Sequence, residues 1–217
     1  MRTLTFGDFL YLLEAARWTV LLSVLAFIGG GLIGLGIALL RVSPRRAASW
    51  FAIGYIRLFQ GTPLLLQLFL VFFGADMLGF PLGAWVSAVL GLSLNAGAFL
   101  GEIWRGAIQS VSPGQSEAAR ALGLHYVPRM LRVVLPQALR VATAPTVGFM
   151  VNLVKSTSLA AIIGFVELTR AGQQLNNATF RPFLIFGTVA AIYFVLCWPL
   201  TIASRRLEAR LGAAYRR

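Results

Sequence analysis

WTVLLSVLAFIGGGLIGLGIALL, residues 18–40, runs for twenty-three residues without one charged side chain. Wound as a helix it reaches about 35 Å, enough to cross a hydrocarbon core about 30 Å thick. It starts too far along the chain and runs too long for a cleavable leader, and no small-residue cleavage site follows it. Gly30 and Gly34 stand four apart, the spacing that lets a membrane helix press its backbone against a neighbour. Outward from this run, Arg41, Arg45 and Arg46, with Pro44 among them, close it on one side. On the other, residues 4–16 mix apolar side chains with Asp8 and Glu14. Two readings stay open there: a separate interfacial segment over 1–16, or an extension of the first span.

Composition carries the same message through the whole chain. Of 217 residues, 58% are hydrophobic and 12% charged, against about 45–50% and about 25% in soluble domains. Lys and Arg outnumber Asp and Glu by 19 to 7. The basic residues lie between apolar runs rather than in one patch, which argues against nucleic acid and for cytoplasmic loops of a membrane protein. The single cysteine, Cys197, sits within an apolar run and reads as a packing residue. With His125 the one histidine, no disulfide framework or Cys/His metal site is available.

Four further spans follow. The second covers roughly 50–73 and contains Arg57, Gln60 and Gly61-Thr62-Pro63, where proline removes a backbone hydrogen bond and kinks the helix. The third covers about 82–103, the fourth about 141–163 and the last about 182–203, with a polar loop over 167–181. The expected fold is therefore an all-α membrane protein of about five transmembrane helices. With the N-terminus outside and the C-terminus cytoplasmic, thirteen arginines face the cytoplasm and four the exterior. The reverse topology inverts that asymmetry, so N-out, C-in is favoured.

Between the third and fourth spans lies GQSEAARALGLHYVPRMLRVVLPQALR, residues 114–140. Ser112, Pro113 and Gln115 form a capping-box pattern with proline at the first helical position. A helix is predicted from Pro113 to about Leu122, a turn at Gly123, and a second short helix from about Val127 to near Pro136. Two short helices tied to spans at both ends make a docking surface rather than a flexible linker.

Glu117-Ala118-Ala119, then Gly123, then Val133 and Leu135-Pro136 resemble the EAA loop of ABC importer permeases, where isoleucine is usual at the Val133 position. Gly61-Thr62-Pro63-Leu64-Leu65 is similar to the RGTPLL segment of the polar amino-acid subfamily, residues 97–106 to its GAYxAExxRG segment, and Lys155-Ser156-Thr157-Ser158-Leu159 to its K[DS]TSL segment. The resemblance covers about residues 15–207. It implies a transmembrane type-1 domain over 17–207, with a cytoplasmic coupling loop at about 105–140 and a basic tail at 208–217. It further implies a second permease as homo- or heterodimer partner, separate ATPase subunits that hold ATP and Mg, an extracytoplasmic substrate-binding protein, and a place in the bacterial inner membrane. The chain has no G-x-x-x-x-G-K-[ST] phosphate loop of its own, as a transport subunit rather than an enzyme requires.

The site residues follow. Glu117, Ala118, Ala119, Gly123, Leu135 and Pro136 are the ATPase-coupling set. Arg57 and Lys155 are charges within spans, where a cation faces a cavity or a partner, unless Arg57 snorkels to the interface. Glu102 is the one carboxylate expected in the spans, and it is placed to pair with Arg105 three residues on, as an ion pair or gate. That leaves a cation for a substrate carboxylate. Gln60 beside Arg57, and Asn152 and Ser156 beside Lys155, are candidates for the substrate path, with Leu64 and Leu159 on the same two faces. Asn95 either lines the path or binds backbone. Many family members carry Glu at Arg57, Arg at Gln60 and Asp at Ser156; the departures tilt the substrate toward neutral or acidic amino acids. Competing readings are a permease for an opine or sulfur compound, and a channel or secondary transporter that works alone.

Overall fold

A computed structural model of the chain describes residues 5–215, with side chains through Ala209. Arg2, Arg210, Arg216 and Arg217 of the charge count lie outside the described side chains. Among the described residues every regular element is helical: α1 Phe6–Val42, α2 Arg46–Gly61, α3 Leu64–Met77, α4 Ala84–Gln109, α5 Pro113–Ala121, α6 Tyr126–Arg129, α7 Leu135–Ser156, α8 Leu168–Thr179 and α9 Pro182–Tyr215. A π turn, Met130–Val134, joins α6 to α7, and a 3-10 turn, Thr157–Ala161, follows α7.

Helices α1, α4 and α9 are long and apolar enough to cross a membrane, and the α2–α3 pair counts as a fourth if read as one broken span. At 22 residues α7 has the length of a span, about 33 Å, but carries Arg140 and Lys155. Outward faces are apolar, with Leu32, Leu70 and Phe183 exposed. Such surface suits lipid rather than water.

The core is the α1–α4 contact, and it rests on missing side chains. A Cβ at Gly30 would stand 2.5 Å from the Ala96 Cβ, and one at Gly34 2.9 Å from the Leu100 Cβ. From the other side, Gly97 and Gly101 receive Ile33 and Ile37. The Gly30–Gly34 pair is thus the close helix contact that its spacing predicts.

Several boundaries differ from the sequence-based expectation. Residues 6–16 continue the helix of the first span, with no break near residue 17 to set off a separate segment. Asp8 closes that helix start by accepting the Thr5 N–H at 2.8 Å. The second span is broken rather than kinked, because α2 and α3 meet at 102°. The polar stretch 167–181 is mostly a helix, α8, whose Leu168, Ala171, Gly172, Leu175 and Thr179 are buried at helical spacing. The boundary expected at residue 208 falls inside α9.

Candidate functional site

In the loop between α4 and α7, α5 ends in a left-handed residue. Gly123 has φ +77, a backbone that costs a side chain about 1–2 kcal/mol. The Leu124 N–H donates to the Ala119 carbonyl at 3.0 Å and the Gly123 N–H to the Arg120 carbonyl at 2.9 Å, the paired bonds of a Schellman turn. Ala119 is buried, whereas Glu117, Ala118 and Leu122 are exposed. The Ser112 side chain makes no capping bond; its carbonyl accepts the Gln115 N–H instead. That corrects the capping-box expectation, while proline at the helix start stands.

The second loop helix does not end near Pro136. It widens into the π turn and runs on as α7. Pro136 has no N–H to donate to the Arg132 carbonyl, and its ring would crowd that carbonyl in an α-helix. The wider turn relieves the clash, and the Gln137 side chain donates to the Val133 carbonyl at 2.9 Å. Leu135 and Pro136 therefore sit at the first turn of α7. Tyr126 donates to the Val42 carbonyl at 3.3 Å, tying the loop to the end of α1.

A second polar cluster sits at the α2–α3 break. Pro63 cannot donate to the Phe59 carbonyl. The buried Gln67 side chain donates there at 2.8 Å and to the Thr62 carbonyl at 3.0 Å. Asn95 donates to the same Phe59 carbonyl at 3.3 Å and to Gln67 Oε1 at 3.0 Å. Thr62 Oγ1 donates to the Leu58 carbonyl at 2.7 Å, and Gln60 Nε2 to the Ala98 carbonyl at 3.3 Å. Of the two readings for Asn95, this is backbone binding. Leu64 lies beyond the break and shares no face with Arg57.

Arg57 and Lys155 are not brought into one site. Arg57 stands exposed on α2, which packs on α1 and α4. Lys155, at the end of α7, lines a cleft of about 660 Å³ between α7 and α9 with Ser158, Tyr193, Phe194, Cys197, Trp198, Thr201 and Arg205. Neither cation has a hydrogen-bond or ion-pair partner among the described residues. Asn152 is exposed one turn before Ser156, whose hydroxyl donates to the Asn152 carbonyl at 2.9 Å. Leu159 belongs to the 3-10 turn and not to the α7 face. Glu102 does pair with Arg105, whose Nε donates to Oε2 at 2.8 Å and whose other end reaches Gln109.

Outside the expected spans, Glu167 is a further acid buried among the helices. Glu167, fully buried, caps the start of α8 by accepting the Arg170 N–H at 2.9 Å. Its other oxygen accepts the Tyr193 hydroxyl at 2.8 Å and the Thr19 hydroxyl at 3.4 Å. Thr19 in turn accepts the Leu168 N–H at 3.1 Å. One carboxylate thereby joins α1, α8 and α9. Burial pushes its carboxyl up from the usual range, against the opposing pull of donors from Thr169, Tyr193 and Arg170. Glutamate is not among the preferred N-caps, so local sequence gives no sign that Glu167 starts a helix.

Residues 30–213 match the family described as "Binding-protein-dependent transport system inner membrane component". The glutamine transport system permease protein GlnP of Escherichia coli strain K12 is 35% identical over 202 residues, 92% of each chain. The arginine transport system permease protein ArtQ of Bacillus subtilis is 35% identical over 205 residues, 93% of this chain and 92% of that one. Among solved structures, an amino acid ABC transporter with histidines superposes at a TM-score of 0.87, with 33% identity, 96% of this chain and 100% of that one covered.

Proposed function

The chain belongs to the binding-protein-dependent transport system inner membrane component family, and we propose that it is the permease subunit of an ATP-driven importer of polar amino acids. One observation carries the reading. Helix α7 begins at the docking loop, at Leu135, and ends at Ser156, next to Lys155 in the cleft. A push on α5 passes through the Gly123 turn and the π turn into α7, so a displacement at the loop is delivered to the cleft by one helix.

The chain's own residues divide the work. The exposed Glu117, Ala118 and Leu122, with Val127 and Leu131, present a mixed charged and apolar face that suits a separate ATPase subunit. ATP and Mg are bound by that subunit. Gly123 fixes the angle of the docking helix, and Pro136 holds the loop's joint to α7 open. A second permease, identical or related, completes the membrane unit, and an extracytoplasmic binding protein delivers the substrate. The N-terminus faces outside, the C-terminus the cytoplasm, and the membrane is the bacterial inner membrane.

Lys155 and Arg205 make the cleft basic, so it takes a carboxylate and disfavours a cationic side chain. Arg57, exposed on α2, gives weaker support to that selectivity. Relatives named for glutamine and for arginine are equally similar to this chain, so overall identity does not decide the substrate. The test is uptake of labelled amino acids by the full complex in proteoliposomes, with Lys155→Gln beside the parent. We expect ATP-dependent uptake of a neutral polar amino acid to exceed that of arginine, and to fall in the variant. A parent that prefers arginine, or a variant with unchanged uptake, overturns the cleft assignment.

A further inference from the structure

Lys155 lines the α7–α9 cleft and Glu167 is buried behind its wall, and neither has a counter-ion among the described residues. Lys155 has no acid within reach among the described residues. Glu167 has no Lys or Arg nitrogen at ion-pair distance among them either. A buried carboxylate without a cation is costly even when hydrogen-bonded, and this one is wholly removed from solvent. A substrate cannot touch it, but Tyr193 links it to the cleft. The Tyr193 hydroxyl donates to Glu167 Oε2 at 2.8 Å while its ring lines the cleft. Because that hydrogen is committed to Glu167, the Thr169 hydroxyl donates to Tyr193 at 3.1 Å. The phenol is therefore clamped on both sides, with no freedom to turn its hydroxyl toward a ligand.

The consequence is chemical. A phenol whose proton is held by a carboxylate is electron-rich, and the ring face is where a cation is attracted. Phe194 and Trp198 stand beside it, their ring centroids 6.0 Å apart. Along α9, Cys197 lies one turn beyond Tyr193 and packs with Val154, the residue before Lys155. One end of the cleft thus suits an anion and the other an ammonium.

We propose that Glu167, acting through Tyr193, is a specificity-determining positioning residue that makes the cleft select substrates carrying an ammonium group as well as a carboxylate. The proposal rests on the cleft being the substrate path. It distinguishes the α-ammonium of an amino acid, which is held over Tyr193 while its carboxylate meets Lys155, from a simple carboxylic acid of the same shape. A purely structural Glu167 that only caps α8 would affect both ligands alike.

The experiment is calorimetric binding to the detergent-solubilised complex of permease and ATPase, with L-glutamine and 4-carbamoylbutanoate, the same molecule without its ammonium. The parent should favour glutamine by about tenfold. Glu167→Gln keeps a carbonyl oxygen to cap α8 but loses the charge. It should reduce that preference to about twofold or less, with 4-carbamoylbutanoate affinity unchanged. Tyr193→Phe should reduce it too, and the double variant should be no worse than the stronger single one. Should Glu167→Gln fail to assemble, Tyr193→Phe decides alone, since full preference in that variant overturns the proposal. A parent that does not discriminate the two ligands, or a Glu167→Gln variant that weakens both equally, overturns it as well. Lys155→Gln separates the two claims. If it leaves both affinities unchanged, the cleft is not the path; if both fall while the glutamine preference ignores Glu167, the path stands and Glu167 is only structural.

Discussion

The cluster at the α2–α3 break and the cluster around Glu167 are both buried among apolar helices, but they bind different things. Gln67 and Asn95 are neutral and spend most of their donors on backbone, at the Phe59 and Thr62 carbonyls. They supply what Pro63 withholds, and the 102° bend is stable because its carbonyls are not left bare. Glu167 accepts from one backbone N–H, but its other oxygen is held by side chains of α1 and α9. The difference teaches that buried polarity in this molecule serves two ends. Where the partners are carbonyls of a broken helix, the role is to hold a shape. Where they are side chains that reach a cleft wall, the role we propose extends to the ligand.

Replacing the acid sharpens the comparison most. Glu167→Ala leaves the Tyr193 and Thr19 hydroxyls and the Arg170 N–H without their acceptor, at a cost of about 3 kcal/mol. A denaturant or thermal melt of the purified permease should show the largest loss of the series, along with weakened substrate binding. Gln67→Leu comes next. It strips the Thr62 carbonyl of its donor and leaves the Phe59 carbonyl to Asn95 alone, for about 2 kcal/mol. Stability should fall while the glutamine to 4-carbamoylbutanoate ratio holds; a changed ratio would break the division between the two clusters. Asn95→Ala is smallest, about 1 kcal/mol, because Gln67 still serves the Phe59 carbonyl. A melt that shifts more for Asn95→Ala than for Gln67→Leu would reverse the assigned hierarchy.

Much of this was legible in residue order, and the parts that were not share a cause. Gly30 and Gly34 announce a close helix contact by spacing, and Gly123 announces a helix end because few residues accept its backbone. The Glu117–Pro136 pattern marks out the loop between α4 and α7, and Lys155 stands out as a charge in a span. Local rules cannot see partners that are far apart in sequence. Thr19 is 148 residues from Glu167 and Tyr193 is 26, so no residue near Glu167 in sequence reveals the network it joins. Pro63 signalled a break, but the angle depends on Asn95, 36 residues from the carbonyl it caps. Helix α8 is legible in the sequence: Leu168, Ala171, Gly172 and Leu175, all buried, follow a helical period. Arg57 and Lys155 are both cations within expected spans, but packing puts α2 against α1 and α4 and leaves the cleft to α7 and α9.

The central claim is that the docking loop drives the cleft through α7, and Gly123 tests it most directly. Gly123→Val forces a β-branched side chain into φ +77, at about 1–2 kcal/mol of local strain, in a turn with no neighbour within 4 Å of a new Cβ. The expected defect is therefore in the angle of α5 and not in packing. Measured as ATP-driven amino-acid uptake by the full complex in proteoliposomes, the variant should insert and assemble normally while uptake falls to the level without ATP. Uptake equal to the parent by a fully assembled Gly123→Val complex would contradict the account.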